Sequence, residues 1–142
     1  AKNLEIELTE ETLIDNLDET IMMLNAIREM GVSVALDDFG TGYSSLSYLK
    51  NLPVDVLKID KSFVQNLFID SKDTAIVEAI LSLAQRLWVT VVAEGIETQR
   101  QSIFLNGCNC KIGQGYLYSK PLKADELTKL LSEVNSSRTI YL

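Results

Sequence analysis

The chain contains no histidine, and that absence removes the side chain most often used as a general base near neutral pH and as a metal ligand. Any catalytic or metal-binding site must therefore be built from carboxylates, amides and lysine. Cysteine is nearly as scarce. The two present, Cys108 and Cys110, are too close for an ordinary disulfide and wrongly spaced for a zinc knuckle, so core or loop thiols in a reducing cytoplasm are expected. No apolar run reaches the roughly 18 to 20 residues of a membrane span, and no basic stretch followed by an apolar one opens the chain. A soluble, cytoplasmic segment without membrane contact is the expectation. Basic residues number 13 against 20 acids, a formal net charge of −7, which argues against a general surface for DNA, RNA or anionic lipid. A polyanionic ligand would need metal ions or local cations.

What is present is an alternation of apolar runs. Of 142 residues, 46% are apolar, enough for one core and one domain. The chain opens on the alternating strand pattern Leu4 to Thr9 with no initiator methionine, so it is expected to start inside a fold. Leu13, Leu17, Ile21, Leu24 and Ile27 then recur at helical spacing from Thr9 or Glu10 as far as Met30, with Gly31 as C-cap. Val32 to Leu36 reads as a strand buried on both faces, followed by Asp37-Asp38 and a glycine- and hydroxyl-rich loop from Phe39 to Ser45. A short helix from Leu46 to Leu52 ends at Pro53. Val54 to Asp60 is a third strand; after a connector, Thr74 to Leu87 is a helix with Ile76, Ile80, Leu83, Ala84 and Leu87 on one face. Val89 to Ala93 is a fourth strand, Thr98 to Asn106 a helix, Gly113 to Leu117 a fifth strand, and Ala124 to Val134 an amphipathic helix with Leu127, Leu130, Leu131 and Val134 inward. Strands alternating with helices predict a parallel sheet with right-handed crossovers, either doubly wound or part of a closed eight-stranded barrel.

Ionisable residues recur at the strand ends: Glu7 and Glu10, Asp37 and Asp38, Lys58 and Asp60, Glu94 and Glu97, with Gln114 on the fifth strand. A single acid there is most often a helix cap or a solvated loop residue, but in a parallel β/α barrel these ends share one rim, so repetition favours a site. Asp37 and Asp38 directly follow an apolar run, and two neighbouring carboxylates, one partly buried, call for a cation. Glu7, Asp37, Asp38 and Glu94 are hard oxygen donors suited to magnesium or manganese, and two such ions could drive an in-line phosphoryl displacement. Lys58 could hold a nucleophilic water or stabilise charge on phosphorus; it could equally be a structural ion pair with Asp37 or Glu94. Gly40-Thr41-Gly42 is not a Walker loop, since no Gly-Lys-Ser or Gly-Lys-Thr follows.

Five segments, Glu5 to Glu10, Asp37 to Leu46, Leu57 to Asp60, Val92 to Thr98, and Gln114 to Tyr116 with Ser119 to Leu122, make the chain resemble the EAL domain of bacterial cyclic di-GMP phosphodiesterases. The resemblance runs from Leu4 to about Leu131. It implies an α/β fold, a TIM-like (β/α)8 barrel, and hydrolysis of cyclic di-GMP to linear pGpG with two Mg2+ or Mn2+ ions. Carried over position by position, it implies that Glu7 and Asp37 ligate the first metal, that Asp37 bridges to the second, and that Asp38 and Glu94 serve the second. Lys58 would position the attacking water, with Glu94 and Gln114 beside it. Glu10 would brace the loop containing Phe39, Gly40, Thr41, Gly42, Tyr43 and Ser44, which the family uses to link metal binding to dimerisation. Glu97 would lie behind the acids that touch metal. The family's Glu-x-Leu motif and a metal-binding Asn should lie before Leu4. The chain is thus expected to be the C-terminal part of one barrel, residues 1–142 supplying about the last five β/α units, inactive by itself and prone to homodimerise or associate through its open edges. The alternative is a non-catalytic module that senses cyclic di-GMP or binds another protein.

Overall fold

The computed structural model of the chain describes residues 1–13, 17–41 and 49–136, the side chains of residues 11, 13 and 133–136 excepted. Five strands form one parallel sheet: β1 (Glu5–Thr9), β2 (Ser33–Phe39), β3 (Val56–Ile59), β4 (Thr90–Ala93) and β5 (Ile112–Gly113). They lie side by side in the order in which they occur in the chain. A doubly wound sheet reverses its strand order at a switch point. Among the described residues this sheet does not reverse, and with right-handed crossovers the connecting helices described fall on the same face.

The helices on that face are α1 (Leu17–Glu29), α2 (Lys61–Gln65), α3 (Ser71–Leu87) and α4 (Gln99–Gly107), with α5 (Ala124–Ser136) at the end of the chain. The core lies between helices and sheet: Val34, Leu36, Leu57 and Ile59 from the strands meet Leu24, Val64, Val77, Ile80, Leu81 and Leu105. Each such side chain, fully removed from water, contributes about 1.5 to 3 kcal/mol before the entropy of ordering is subtracted. Among the described residues no helix is long and apolar enough to cross a membrane. Cys108 and Cys110 are free thiols, the second buried and donating to the Ile112 carbonyl at 3.3 Å.

Several expected boundaries move, each for a local reason. The stretch expected as one long helix opens with a 3-10 turn over Glu10–Leu13, and α1 spans Leu17–Glu29. The connector after β3 contains α2, whose N-cap is Asp60, accepting from the Ser62 backbone N–H at 2.9 Å. α3 starts at Ser71 because Asp70 caps it. Its buried face runs through Val77, Ile80, Leu81 and Ala84, leaving Ile76 exposed; that set also fits helical spacing, so periodicity alone admits two neighbouring faces. β5 is only two residues long, so Gln114 lies beyond it and not within it. Leu127 and Leu131 of α5 are exposed rather than inward, and the Val134 side chain is outside the described set. The expected helix from Leu46 to Leu52 falls largely outside the described residues.

Candidate active site

β2 does not end at Leu36. It continues through Asp37, Asp38 and Phe39, with its pairing to β3 interrupted between Leu36 and Phe39. Asp38 takes a left-handed conformation, φ 54°, a conformation that aspartate tolerates better than most residues. The irregularity separates the two acids. Asp37 faces Lys58, whereas Asp38 turns toward Asp60. Phe39, expected in the loop, is instead buried in the core at the last position of the strand.

Lys58 sits between Leu57 and Ile59 on β3 and, by strand alternation, faces away from the helices that bury those two residues. Its side chain is only 9% exposed. The ammonium donates to Glu7 Oε1 at 2.8 Å and lies 2.9 Å from Glu94 Oε1 and 3.3 Å from Asp37 Oδ2. Residues on β1, β2 and β3 and just past β4 thus meet at one point on the rim. Burial alone would push the Lys58 pKa down; hydrogen bonds to Glu7 and Glu94 and the charges of Glu94 and Asp37 outweigh it, and the pKa is raised. The lysine is therefore a fixed cation.

Asp38 and Asp60 form a second pair of acids. Burial first, then the charges of Asp37 and Asp60 and a hydrogen bond with Asp60, push the Asp38 pKa up. Asp60 moves the other way: against the effect of burial, the hydroxyl and backbone N–H of Ser62, the backbone of Lys61 and the bond with Asp38 hold it down. Asp60 was legible as a rim acid; its role as the cap of α2 and the partner of Asp38 was not, because α2 itself was missed.

The loop after β2 is tied at its start. Glu10 is buried and accepts from the Gly40 backbone N–H at 3.1 Å. Gly40 has φ +98°, and a Cβ there would meet the Phe63 ring at 3.0 Å. The Thr41 hydroxyl donates to the Asp38 carbonyl at 2.8 Å. Gly42, Tyr43 and Ser44 lie outside the described residues. On the far side of the rim, Glu97 does not join Lys58 but accepts from Gln65 Nε2 at 3.1 Å. Gln114 is exposed; its backbone N–H donates to Ala93 and its carbonyl accepts from Ile96.

One residue that holds this rim was not singled out from sequence. Gln101 is buried, and its Oε1 accepts from the backbone N–H groups of Glu97 and Thr98, both at 2.9 Å, while its Nε2 donates to the Val64 carbonyl at 3.0 Å. It ties the segment following Glu94 to the helix following Lys58. The signal was available: Thr98 and Gln101 form a capping box, and threonine followed three residues later by glutamine is that pattern.

The acids present are the hard oxygen donors that magnesium or manganese prefers. As the side chains stand, however, three of them are turned onto the Lys58 ammonium, and among the described residues no group of three or more acids or thiols is placed to hold a metal ion. The donor chemistry fits; the cation now held among the acids is the protein's own.

The EAL domain family's sequence profile matches residues 1–121. The chain is 49% identical over 128 residues to the cyclic di-GMP phosphodiesterase NbdA of Pseudomonas aeruginosa, covering 90% of this chain and 16% of NbdA. The crystal structure of the EAL domain of Mycobacterium smegmatis DcpA superposes with a TM-score of 0.86 at 43% identity, over 93% of this chain and 59% of that one. Klebsiella pneumoniae BlrP1, solved as a manganese and cyclic di-GMP complex, superposes with a TM-score of 0.76 at 38% identity, over 82% and 30%. The chain therefore spans well under two thirds of these relatives' lengths. Its sheet, wound in one direction, is an arc of a TIM-like (β/α)8 barrel. With the profile, the sequence relatives and the solved structures in agreement, the chain belongs to the EAL domain family.

Proposed function

We propose that the chain supplies the strand-end chemistry of a cyclic di-GMP phosphodiesterase, which opens the cyclic dinucleotide to linear pGpG. The observation that carries this reading is the meeting of Lys58 with Glu7, Asp37 and Glu94 on neighbouring parallel strands, where barrel enzymes place their chemistry. The phosphodiesterase relative NbdA and the manganese and cyclic di-GMP complex of BlrP1 support the substrate and the metal dependence.

Glu7, Asp37, Asp38 and Glu94 would hold two Mg2+ or Mn2+ ions, which supply Lewis acidity and a deprotonated water at neutral pH. The chain's own groups do the rest. Lys58, fixed as a cation, orients the attacking water and offsets the negative charge that develops on the phosphate oxygens. Glu94 accepts a hydrogen bond from that water, and the Gln114 amide donates nearby. As the water oxygen bonds to phosphorus, one ester P–O bond breaks; the water's proton is released to solvent and the freed sugar oxygen takes one from solvent. Glu10, through Gly40, fixes the backbone just after β2, and Glu97 with Gln65 braces the segment after Glu94.

The 142 residues are read as the C-terminal part of one barrel, working in the cytoplasm and inactive by themselves. Among the described residues β1 and β5 are the edge strands of the sheet, and these edges would be surfaces for self-association, as unpaired strands commonly are. Turnover of cyclic di-GMP with Mg2+ tests the reading in two polypeptides: this chain, and one extended N-terminally by about 100 residues to the length of a full barrel. The expected result is pGpG from the longer polypeptide only. Tight binding of cyclic di-GMP by the longer one without product would instead establish a sensing module, a reading favoured by the lysine's hold on three would-be metal ligands.

A further inference from the structure

If these acids do take a divalent cation, as the proposed function requires, the question is what they do without one. Three carboxylates gathered on a rim repel each other, and a partly buried cluster of that kind persists only with a counter-charge. Lys58 provides it: its side chain is buried, it contacts all three acids within 3.3 Å, and the acids come from three other segments of the sheet. The same geometry leaves no three-acid group among the described residues open to an ion.

We infer that Lys58 sets the metal affinity of this rim: its ammonium stands where the carboxylates converge, so a divalent cation binds only as Lys58 gives up acids it now holds. Two effects oppose the ion. The carboxylate oxygens must leave charge-assisted hydrogen bonds, and a doubly charged ion brought beside a buried ammonium is repelled at short range, where little solvent screens it. Lysine suits such an exchange because its flexible four-carbon stem lets a compact charge move aside while staying near the ligand. The lysine that positions water would then also keep the rim folded when no metal is bound and keep weakly binding cations out.

The test uses the full chain and Mn2+ alone, with free Mn2+ followed by electron paramagnetic resonance. Lys58→Met, which removes the charge, is expected to bind Mn2+ at least about tenfold more tightly than the unaltered chain, and its melting temperature is expected to rise more on adding Mn2+. Lys58→Arg, which keeps the charge, is expected to bind no more tightly than the unaltered chain. Equal or weaker binding by Lys58→Met overturns the inference while leaving the metal site standing; absence of binding by all three proteins overturns the inference, and the proposed metal site then rests on the N-terminally extended polypeptide alone. Should Lys58→Met fail to fold, the unaltered chain labelled with 13C at lysine Cε decides the matter by magnetic resonance. Mg2+ is expected to shift the Lys58 signal, assigned by its loss in Lys58→Arg, and a signal unmoved at saturating Mg2+ would overturn the inference.

Discussion

Lys58 and Asp55 lie a few residues apart in the same stretch of chain, and each anchors ion pairs, but the two ends of the sheet use charge differently. At the C-terminal rim one lysine, 9% exposed, serves three carboxylates from three other segments. At the opposite end Asp55 takes a two-point grip from Arg28, with contacts from 2.6 to 3.2 Å, plus the Val34 backbone N–H at 3.1 Å. That pair is 41% and 34% exposed. A buried cation facing several acids is a poor route to stability and a good way to hold reactive groups in place. The outer pair joins the end of α1 to the sheet, and solvent limits what it contributes.

The comparison breaks most visibly at Lys58. Lys58→Met leaves Glu7, Asp37 and Glu94 facing one another without a counter-charge and is expected to destabilise the metal-free chain by about 3 kcal/mol, the lower end for a broken buried pair because Glu7 is 49% exposed. Urea denaturation in EDTA measures it, and a loss below 1 kcal/mol would mean that the acids simply turn out to solvent. A second substitution tests whether the rim is held sterically as well as electrically. A Cβ on Gly115 would collide with the Ile96 carbonyl oxygen and backbone nitrogen. Those are backbone atoms of the segment that leaves Glu94, so they cannot swing aside as a side chain would. Gly115→Ala is expected to cost about 2 kcal/mol by displacing that segment, and weakened contact between Lys58 and Glu94, seen as a shifted Lys58 resonance, is the specific sign. An unchanged melting temperature would show that the segment gives way without strain.

How far these features can be read from residues alone depends on whether they are local. The succession of strands along the chain and the placing of acids at their ends follow from apolar runs ending in charge, and Glu7, Asp37 and Glu94 do meet at Lys58. What escaped was decided by contacts distant in sequence or by single dihedral angles. Nothing in Asp37-Asp38 says that the second acid turns left-handed and faces Asp60. Glu97 is expected behind the acids that touch metal, but that Gln65 engages it could not be read, because Gln65 sits on a helix too short for periodicity to reveal. Leu127 and Leu131 form an apolar stripe whether or not anything covers it, and here both are exposed. Gln101 is the exception, a buried residue whose local capping pattern could have been read.

The smallest expected effect sharpens the comparison from the other end of the sheet. Against the effect of burial, the Arg28 hydrogen bonds and charge and the Val34 N–H lower the Asp55 pKa. A carboxyl whose folded pKa lies below its unfolded value of about 3.9 binds fewer protons when folded, so its contribution is complete above that pH and is lost as pH falls through the folded pKa. Asp55→Asn removes the charge but keeps a carbonyl that can accept from Val34. At neutral pH it should cost about 1 kcal/mol, since the pair is more than a third exposed on the arginine side and solvent screens it. In acid, where the wild-type carboxyl is itself protonated, the difference between the two proteins should shrink toward zero. Urea denaturation of both chains across this pH range tests that. A difference that persists unchanged into acid would show that shape and the Val34 bond, not charge, hold this end of the sheet together, and the two ends would then differ in kind and not merely in exposure.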